Sequence, residues 1–171
     1  MIKFIGVLFT VSGSVLAGHY FADKSLIRIH ILEELEQALQ FIYGEVEYAA
    51  LDITEIFSSL SLRGKYCSDF WLGMCSKLSE KDGYDLYSIW ISELDGSSWV
   101  KYLLYEDRLF LKEVGKNTGN LDRQSQLHTL EIFKNRISNI IETARSEYKD
   151  RARVCHAVGA AAGIFISILL I

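Results

Sequence analysis

The chain has 171 residues, half of them hydrophobic, so its length predicts one domain with enough apolar side chains for a core. The net charge of −4 argues against a basic nucleic-acid-binding surface. The chain contains no proline, and this favours long uninterrupted helices, because proline ends or kinks a helix.

The cysteines argue against a disulfide-stabilised domain and against a zinc-stabilised domain. Cys67, Cys75 and Cys155 are odd in number and lack CxxC spacing, so they predict neither a disulfide framework nor a zinc site. We interpret them as small buried hydrophobic residues of a protein in a reducing compartment. A metal or redox role is the alternative.

Long apolar runs lie at both ends of the chain, at residues 4–22 and 154–171. A membrane-spanning helix needs about 20 apolar residues, so each run predicts a transmembrane helix. The first run has a rival interpretation, because "VLA" before Gly18 resembles the cleavage site of a signal peptide. The apolar character continues through Tyr20 and Phe21, which favours a retained helix.

Basic residues flank both runs on the same side. Lys24 and Arg28 follow the first run, and four basic residues precede the second: Arg145, Lys149, Arg151 and Arg153. The positive-inside rule therefore places the region between the runs in the cytoplasm. We predict an N-terminal transmembrane helix at 1–22, a cytoplasmic helical domain at 23–153 and a C-terminal transmembrane helix at 154–171.

Small residues recur four apart inside both runs. Gly159 and Gly163 form a GxxxG pair, and Gly13 and Ala17 form a weaker pair. Such pairs let helix backbones approach closely in lipid. We predict that the spans pack on each other or on partner spans; the alternative is that these residues face lipid.

Two helical stripes continue from the apolar runs into the middle of the chain. Their apolar positions recur at the spacing of one helix face, at Ile27, Ile31, Leu35, Ala38 and Ile42, and at Leu130, Phe133, Ile137, Ile141, Ala144 and Tyr148. We predict two long helices that leave the membrane side by side as an antiparallel pair.

Shorter helices are predicted between the two stripes. Asp52 and Glu55 have the spacing of a capping box, and Gly64 marks the end of the helix that they begin. Further helices are predicted at 67–80, 84–94 and 97–115. No stretch has the alternation of a strand, so the predicted fold class is all-α.

A polar joint precedes the last long helix. Gly115 or Gly119 can take the left-handed conformation that ends a helix. Asn120 or Asp122 can cap the next one, and Asp122 also favours the positive end of its dipole. A helix–turn–helix corner therefore explains Gly115, Gly119 and Asp122. It explains less well the polar cluster in the following turn, which consists of Arg123, Gln124 and Gln126.

The stretch "FLKEVGKNTGNLDRQSQLHTLEIFKNRI" resembles the signature of the stage III sporulation protein AB family. The matching positions are Gly115, Gly119, Asp122, Arg123 and Gln126. The order of the apolar runs and of the Trp90 region matches as well. There are two departures: Thr118 stands where leucine is common, and "YAALDITEIF" lacks a proline often found before that helix.

The resemblance implies a role in endospore formation. It implies the mother-cell membrane around the forespore, with the central domain in the mother-cell cytoplasm. The implied fold is like the F component of type II secretion systems. The implied partners are a secretion-type ATPase, stage III sporulation protein AA, and other proteins of the same channel-like complex, with a homo-oligomer also possible. The candidate partner-binding residues are then Asp122, Arg123 and Gln126, with Gly115 and Gly119 shaping the turn.

No catalytic constellation stands out. His128 and Glu131 could form half of a metal site, and His30 with Glu33 or Glu34 is a loose second half; a solvated helix face explains them better. No phosphate-binding loop is present, so we predict no cofactor and no catalysis. The alternative is a membrane-anchored sensor or enzyme domain, which would contain a polar pocket with convergent ionisable groups.

Overall fold

The computed structural model describes residues 2–48, 51–80, 85–118 and 123–170, and it describes no side chains for residues 2–23, 152, 155–156 and 159–170. Within those ranges there are six α-helices and one 3₁₀ helix, and no strand: α1 (Ile2–Tyr48), α2 (Ile53–Arg63), α3 (Ser68–Ser79), α4 (Leu86–Gly96), the 3₁₀ helix (Ser98–Tyr102), α5 (Tyr105–Asn117) and α6 (Arg123–Leu170). The all-α prediction is confirmed.

The chain divides into two units. One consists of Met1–Ile29 together with Glu142–Ile171, and the other is His30–Ile141. Both boundaries fall inside the region predicted as the cytoplasmic domain, residues 23–153. The second unit contains α2 to α5 with the adjoining parts of α1 and α6.

The core of the unit His30–Ile141 is built around aromatic side chains. The rings of Phe57, Phe70, Trp71 and Trp90 pack against one another with centroids 4.7–6.5 Å apart. Edge-to-face arrangements predominate, as the ring quadrupole favours. These side chains come from α2, α3 and α4, which pack in sequence order, so the aromatic cluster holds the short helices together.

The two long helices run antiparallel within this unit, as predicted. The Lys134 ammonium of α6 lies 4.1 Å from the centre of the Tyr43 ring on α1. Nearer the start of α6, Arg123 reaches the carbonyl oxygen of Val46, close to the end of α1. In the other unit, Arg28 of α1 lies 3.8 Å from Glu147 of α6.

Local capping explains where α2 begins. The Asp52 backbone N–H donates to Glu55 Oε2 at 3.3 Å, and Thr54 Oγ1 donates to Asp52 Oδ2 at 2.9 Å. The first bond is the half of a capping box in which the side chain at the third helical position accepts the backbone N–H of the N-cap residue. The predicted start at Asp52 is therefore confirmed.

The turn between α2 and α3 is held by a distant carboxylate. Glu34 of α1 accepts the backbone N–H groups of Lys65, Tyr66 and Cys67 at 2.8–3.2 Å. Gly64 ends α2 as predicted, but with an extended φ of −77°. A Cβ there would lie 2.6 Å from Glu34 Oε1, so the glycine makes room for the carboxylate.

The single helix predicted over 97–115 is wrong. Leu103 and Leu104 have extended backbone, with ψ of 146° and 163°, and they separate the 3₁₀ helix from α5. The Asp107 carboxylate accepts the Leu104 N–H at 2.9 Å. This bond makes Asp107 a local cap, which favours a new helix start over continuation of the old one.

Among the described residues, no helix is both long enough and apolar enough to cross a membrane. Most side chains of the predicted spans, 4–22 and 154–171, lie outside the described residues, as do those of Gly13, Ala17, Gly159 and Gly163. The transmembrane helices and their packing stay predictions.

Candidate functional site

Arg123 closes the end of α1. Its Nε donates to the Val46 carbonyl oxygen at 3.1 Å, and its Nη2 donates to the Glu47 carbonyl oxygen. The last carbonyl groups of a helix have no partner within the helix, and a cation there also interacts favourably with the helix dipole. The predicted partner-facing arginine therefore has an intramolecular role in joining α6 to α1.

Gln126 and Thr118 close the joint between α5 and α6. Gln126 Nε2 donates to the Thr118 carbonyl oxygen at 3.0 Å, and Thr118 Oγ1 donates to the Val114 carbonyl oxygen at 2.7 Å. We call Val46, Glu47, Thr118, Arg123 and Gln126 the α5–α6 joint. Its polar side chains bond to backbone carbonyl groups that the ends of α1 and α5 would otherwise leave unpaired.

Gly115 does not shape the turn, which corrects its predicted role. It lies inside α5, two residues before the helix ends at Asn117. A Cβ at this position would lie 2.3 Å from Trp90 Cδ1, so the glycine serves close packing against the indole. Gly119, Asn120 and Asp122, the other predicted turn and capping residues, lie outside the described residues.

A cavity of about 430 Å³ lies beside the joint. Thr118 and Gln126 form its polar edge. The rest of its lining is apolar and comes from the first four α-helices and from Leu51, two residues before α2: Ile42, Val46, Leu51, Ile53, Ile56, Phe57, Leu78 and Leu86. Among the described residues that line it, none has an ionisable side chain, so this part of the lining offers mainly apolar contact.

Two carboxylates act on Tyr43, four residues before Glu47 of the joint. Glu47, together with burial and the charge of Glu131, raises the pKa of Tyr43 above its ordinary value, because a nearby carboxylate disfavours the phenolate. Farther from the joint, burial and the neighbouring Glu34 raise the pKa of the Cys67 thiol well above its ordinary range. Cys67 is therefore a protonated core residue and not a reactive thiolate.

The described residues contain no group of three or more His, Cys, Asp or Glu side chains that could hold a metal ion. His30 Nδ1 contacts Glu33 Oε2 at 3.2 Å, whereas Glu34 is engaged with the start of α3. His128 is exposed on α6. The structure thus does not bring the two loosely predicted metal half-sites together.

Residues 3–171 match the family model of stage III sporulation protein AB. The chain belongs to that family. The match covers the joint and both apolar runs, in agreement with the resemblance of the joint to the family signature. No curated protein and no solved structure matches the chain significantly. The likeness to the F component of type II secretion systems therefore stays a prediction.

The sequence reasoning missed two groups at this end of the unit. Thr118 departs from the family pattern, yet it is 5% exposed and its hydroxyl donates to the Val114 carbonyl oxygen in the last turn of α5. The lining of the cavity was also missed, because its residues are spread from Ile42 to Gln126 and no local pattern connects them.

Proposed function

We propose that the chain is a non-enzymatic scaffold of a sporulation complex, anchored in the mother-cell membrane by residues 4–22 and 154–171. Its helical domain would face the mother-cell cytoplasm and bind the secretion-type ATPase of the complex. The family match supports the sporulation role. The anchoring and the partner rest on the apolar runs and on what the resemblance implies.

One structural observation carries the partner site. At the α5–α6 joint, α1 and α5 end and α6 begins, and Arg123 and Gln126 fix these helix ends to one another. The apolar cavity lies directly beside them. Helix ends held together by hydrogen bonds beside an apolar cavity provide a preorganised surface, which lowers the entropic cost of binding a partner.

The rival function, a membrane-held enzyme or sensor, needs convergent ionisable groups in a pocket. The cavity beside the joint is lined by apolar side chains, a threonine and a glutamine. This composition favours the binding role.

The test uses Gln124, which is exposed in the first turn of α6. Arg123→Ala is a poorer probe, because it would also remove the hydrogen bonds to Val46 and Glu47. We expect Gln124→Trp to reduce co-purification of the ATPase with the full chain at least tenfold, a loss of about 1.4 kcal/mol, because a bulky ring would obstruct the partner.

Gln37→Trp is the matched control. Gln37 is an exposed glutamine on the other long helix, and its substitution leaves the joint unchanged. It should co-purify the ATPase as the unmodified chain does. Undiminished co-purification with Gln124→Trp, in a chain that keeps its helical circular dichroism, would rule out the joint as the partner site.

A further inference from the structure

The contact between Arg28 and Glu147 sets the register of the two long helices in the unit formed by Met1–Ile29 and Glu142–Ile171. Their charged atoms are 3.8 Å apart. Because the helices are antiparallel, one turn along each of them brings Lys24 level with Arg151. Two residues farther along each helix, residue 22 is level with residue 153.

Both apolar runs have the boundary that adjoins the middle of the chain at that level. Residue 22 is the last of the first run, and residue 154 is the first of the second. The run boundaries were drawn from sequence alone, whereas the register comes from a side-chain contact. Their agreement indicates one common plane at which both helices change from polar to apolar.

Charge is divided between the two units. Residues 30–141 contain 11 lysines and arginines against 18 aspartates and glutamates, a net charge of −7. Residues 1–29 and 142–171 contain 7 against 4, a net charge of +3. Opposite charge in two parts of one chain indicates different surroundings for each part.

Four exposed basic side chains lie within about one turn of the common plane, and we call them the basic band: Lys24, Lys149, Arg151 and Arg153. Asp150 lies among them and is 3.3 Å from Arg153. These two side chains are 66% and 80% exposed, and such exposed pairs are weak in water. Asp23 also precedes Lys24 in the sequence, so four basic residues stand against two acidic ones and the band keeps a net positive charge.

We infer that the basic band binds the phosphate groups of anionic lipids at the surface of the membrane. The inference rests on the membrane anchoring proposed above. Lysine and arginine next to a membrane span are attracted to anionic headgroups. The apolar runs would hold the band at the depth of those headgroups, so the partner is lipid phosphate and not phosphate in solution.

The experiment places the full chain in phosphatidylcholine vesicles with spin-labelled phosphatidylglycerol or phosphatidylcholine. It measures the ratio of the two association constants. Each basic residue near an anionic surface gives roughly a fivefold preference. We expect a ratio well above fivefold in the unmodified chain, falling towards roughly fivefold in the triple variant Lys149→Ser, Arg151→Ser, Arg153→Ser, which keeps Lys24.

The matched control removes the same charge elsewhere, through Lys65→Ser, Lys101→Ser and Lys116→Ser. All three lysines are exposed in the unit His30–Ile141, so the ratio should stay as in the unmodified chain. Added glycerol phosphate should also leave it unchanged.

Three results would overturn the inference: no preference in the unmodified chain, an equal loss in the control, or displacement by glycerol phosphate. A chain that floats with neutral vesicles but shows no preference would refute lipid recognition and leave the anchoring intact. A chain that does not float with the phosphatidylcholine vesicles would refute both.

Discussion

The residue whose predicted role changed most is Gly115. The sequence pattern indicated a helix end, whereas the structure places the glycine against the buried face of Trp90. Trp90 is 2% exposed, and its Nε1 donates to the Leu111 carbonyl oxygen at 3.0 Å. The indole also packs on Phe57, Phe70 and Trp71, so it has little room to retreat.

We therefore expect Gly115→Ala to destabilise the chain by about 1–3 kcal/mol, the usual cost of overpacking a core. The free energy of unfolding is measured in urea. Unfolding is monitored by the fluorescence of the three tryptophans, all of which lie within residues 30–141. Gly44→Ala is the control. It lies in α1 with no atom within 4 Å of the added Cβ, so it should stabilise the helix by about 0.5–1 kcal/mol. Equal effects at the two positions would contradict the packing role of Gly115.

Residues that act on near neighbours in the sequence were predictable, and residues that act across the fold were not. The pairing of Asp52 with Glu55 follows from three-residue spacing. Arg123 bonds to carbonyl groups 76 and 77 residues earlier, and no spacing rule identifies them. The sequence therefore marked the joint as unusual, but it could not show that Arg123 and Gln126 bond within the chain.

At the scale of elements, α3 depends on a helix far from it in the sequence. Its first turn has no side-chain cap of its own. Instead, Glu34 accepts three backbone N–H groups at the entrance to α3, and Gly64 leaves space for its carboxylate. The carboxylate also lies at the positive end of the α3 dipole. This contact fixes the α2–α3 turn on α1.

Glu34→Ala should lower the free energy of unfolding by about 1.5–3 kcal/mol, because three backbone N–H groups, two of them part-buried, would lose a charged acceptor. Urea unfolding gives the size of the loss, and hydrogen exchange at Lys65, Tyr66 and Cys67 gives its location. Glu36→Ala, on another face of α1, should change the stability by less than about 0.5 kcal/mol. Unchanged exchange at the three amides in Glu34→Ala would show that the carboxylate does not hold the turn.

The positions of most helices could be predicted from the spacing of apolar residues and from glycines at helix ends, because both patterns extend over only a few residues. The break at Leu103 and Leu104 did not, because the apolar pattern runs on through it. The signal that could have shown the break is Asp107, three residues after Leu104, where a carboxylate can cap a new helix. Leu104 itself does not indicate that a new helix begins there.

At the scale of the whole molecule, the scaffold proposal joins the family assignment to the α5–α6 joint. A scaffold acts by holding its partners, so losing one surface should have the same effect as losing the chain. We therefore expect deletion of the gene to lower the count of heat-resistant spores by several orders of magnitude. The intact gene and the Gln37→Trp gene should restore it, whereas the Gln124→Trp gene should not, although its product accumulates to the same level. Full restoration by Gln124→Trp would separate the sporulation role from the joint. A normal count after deletion would mean that the chain is dispensable for spore formation in its host, whatever it binds.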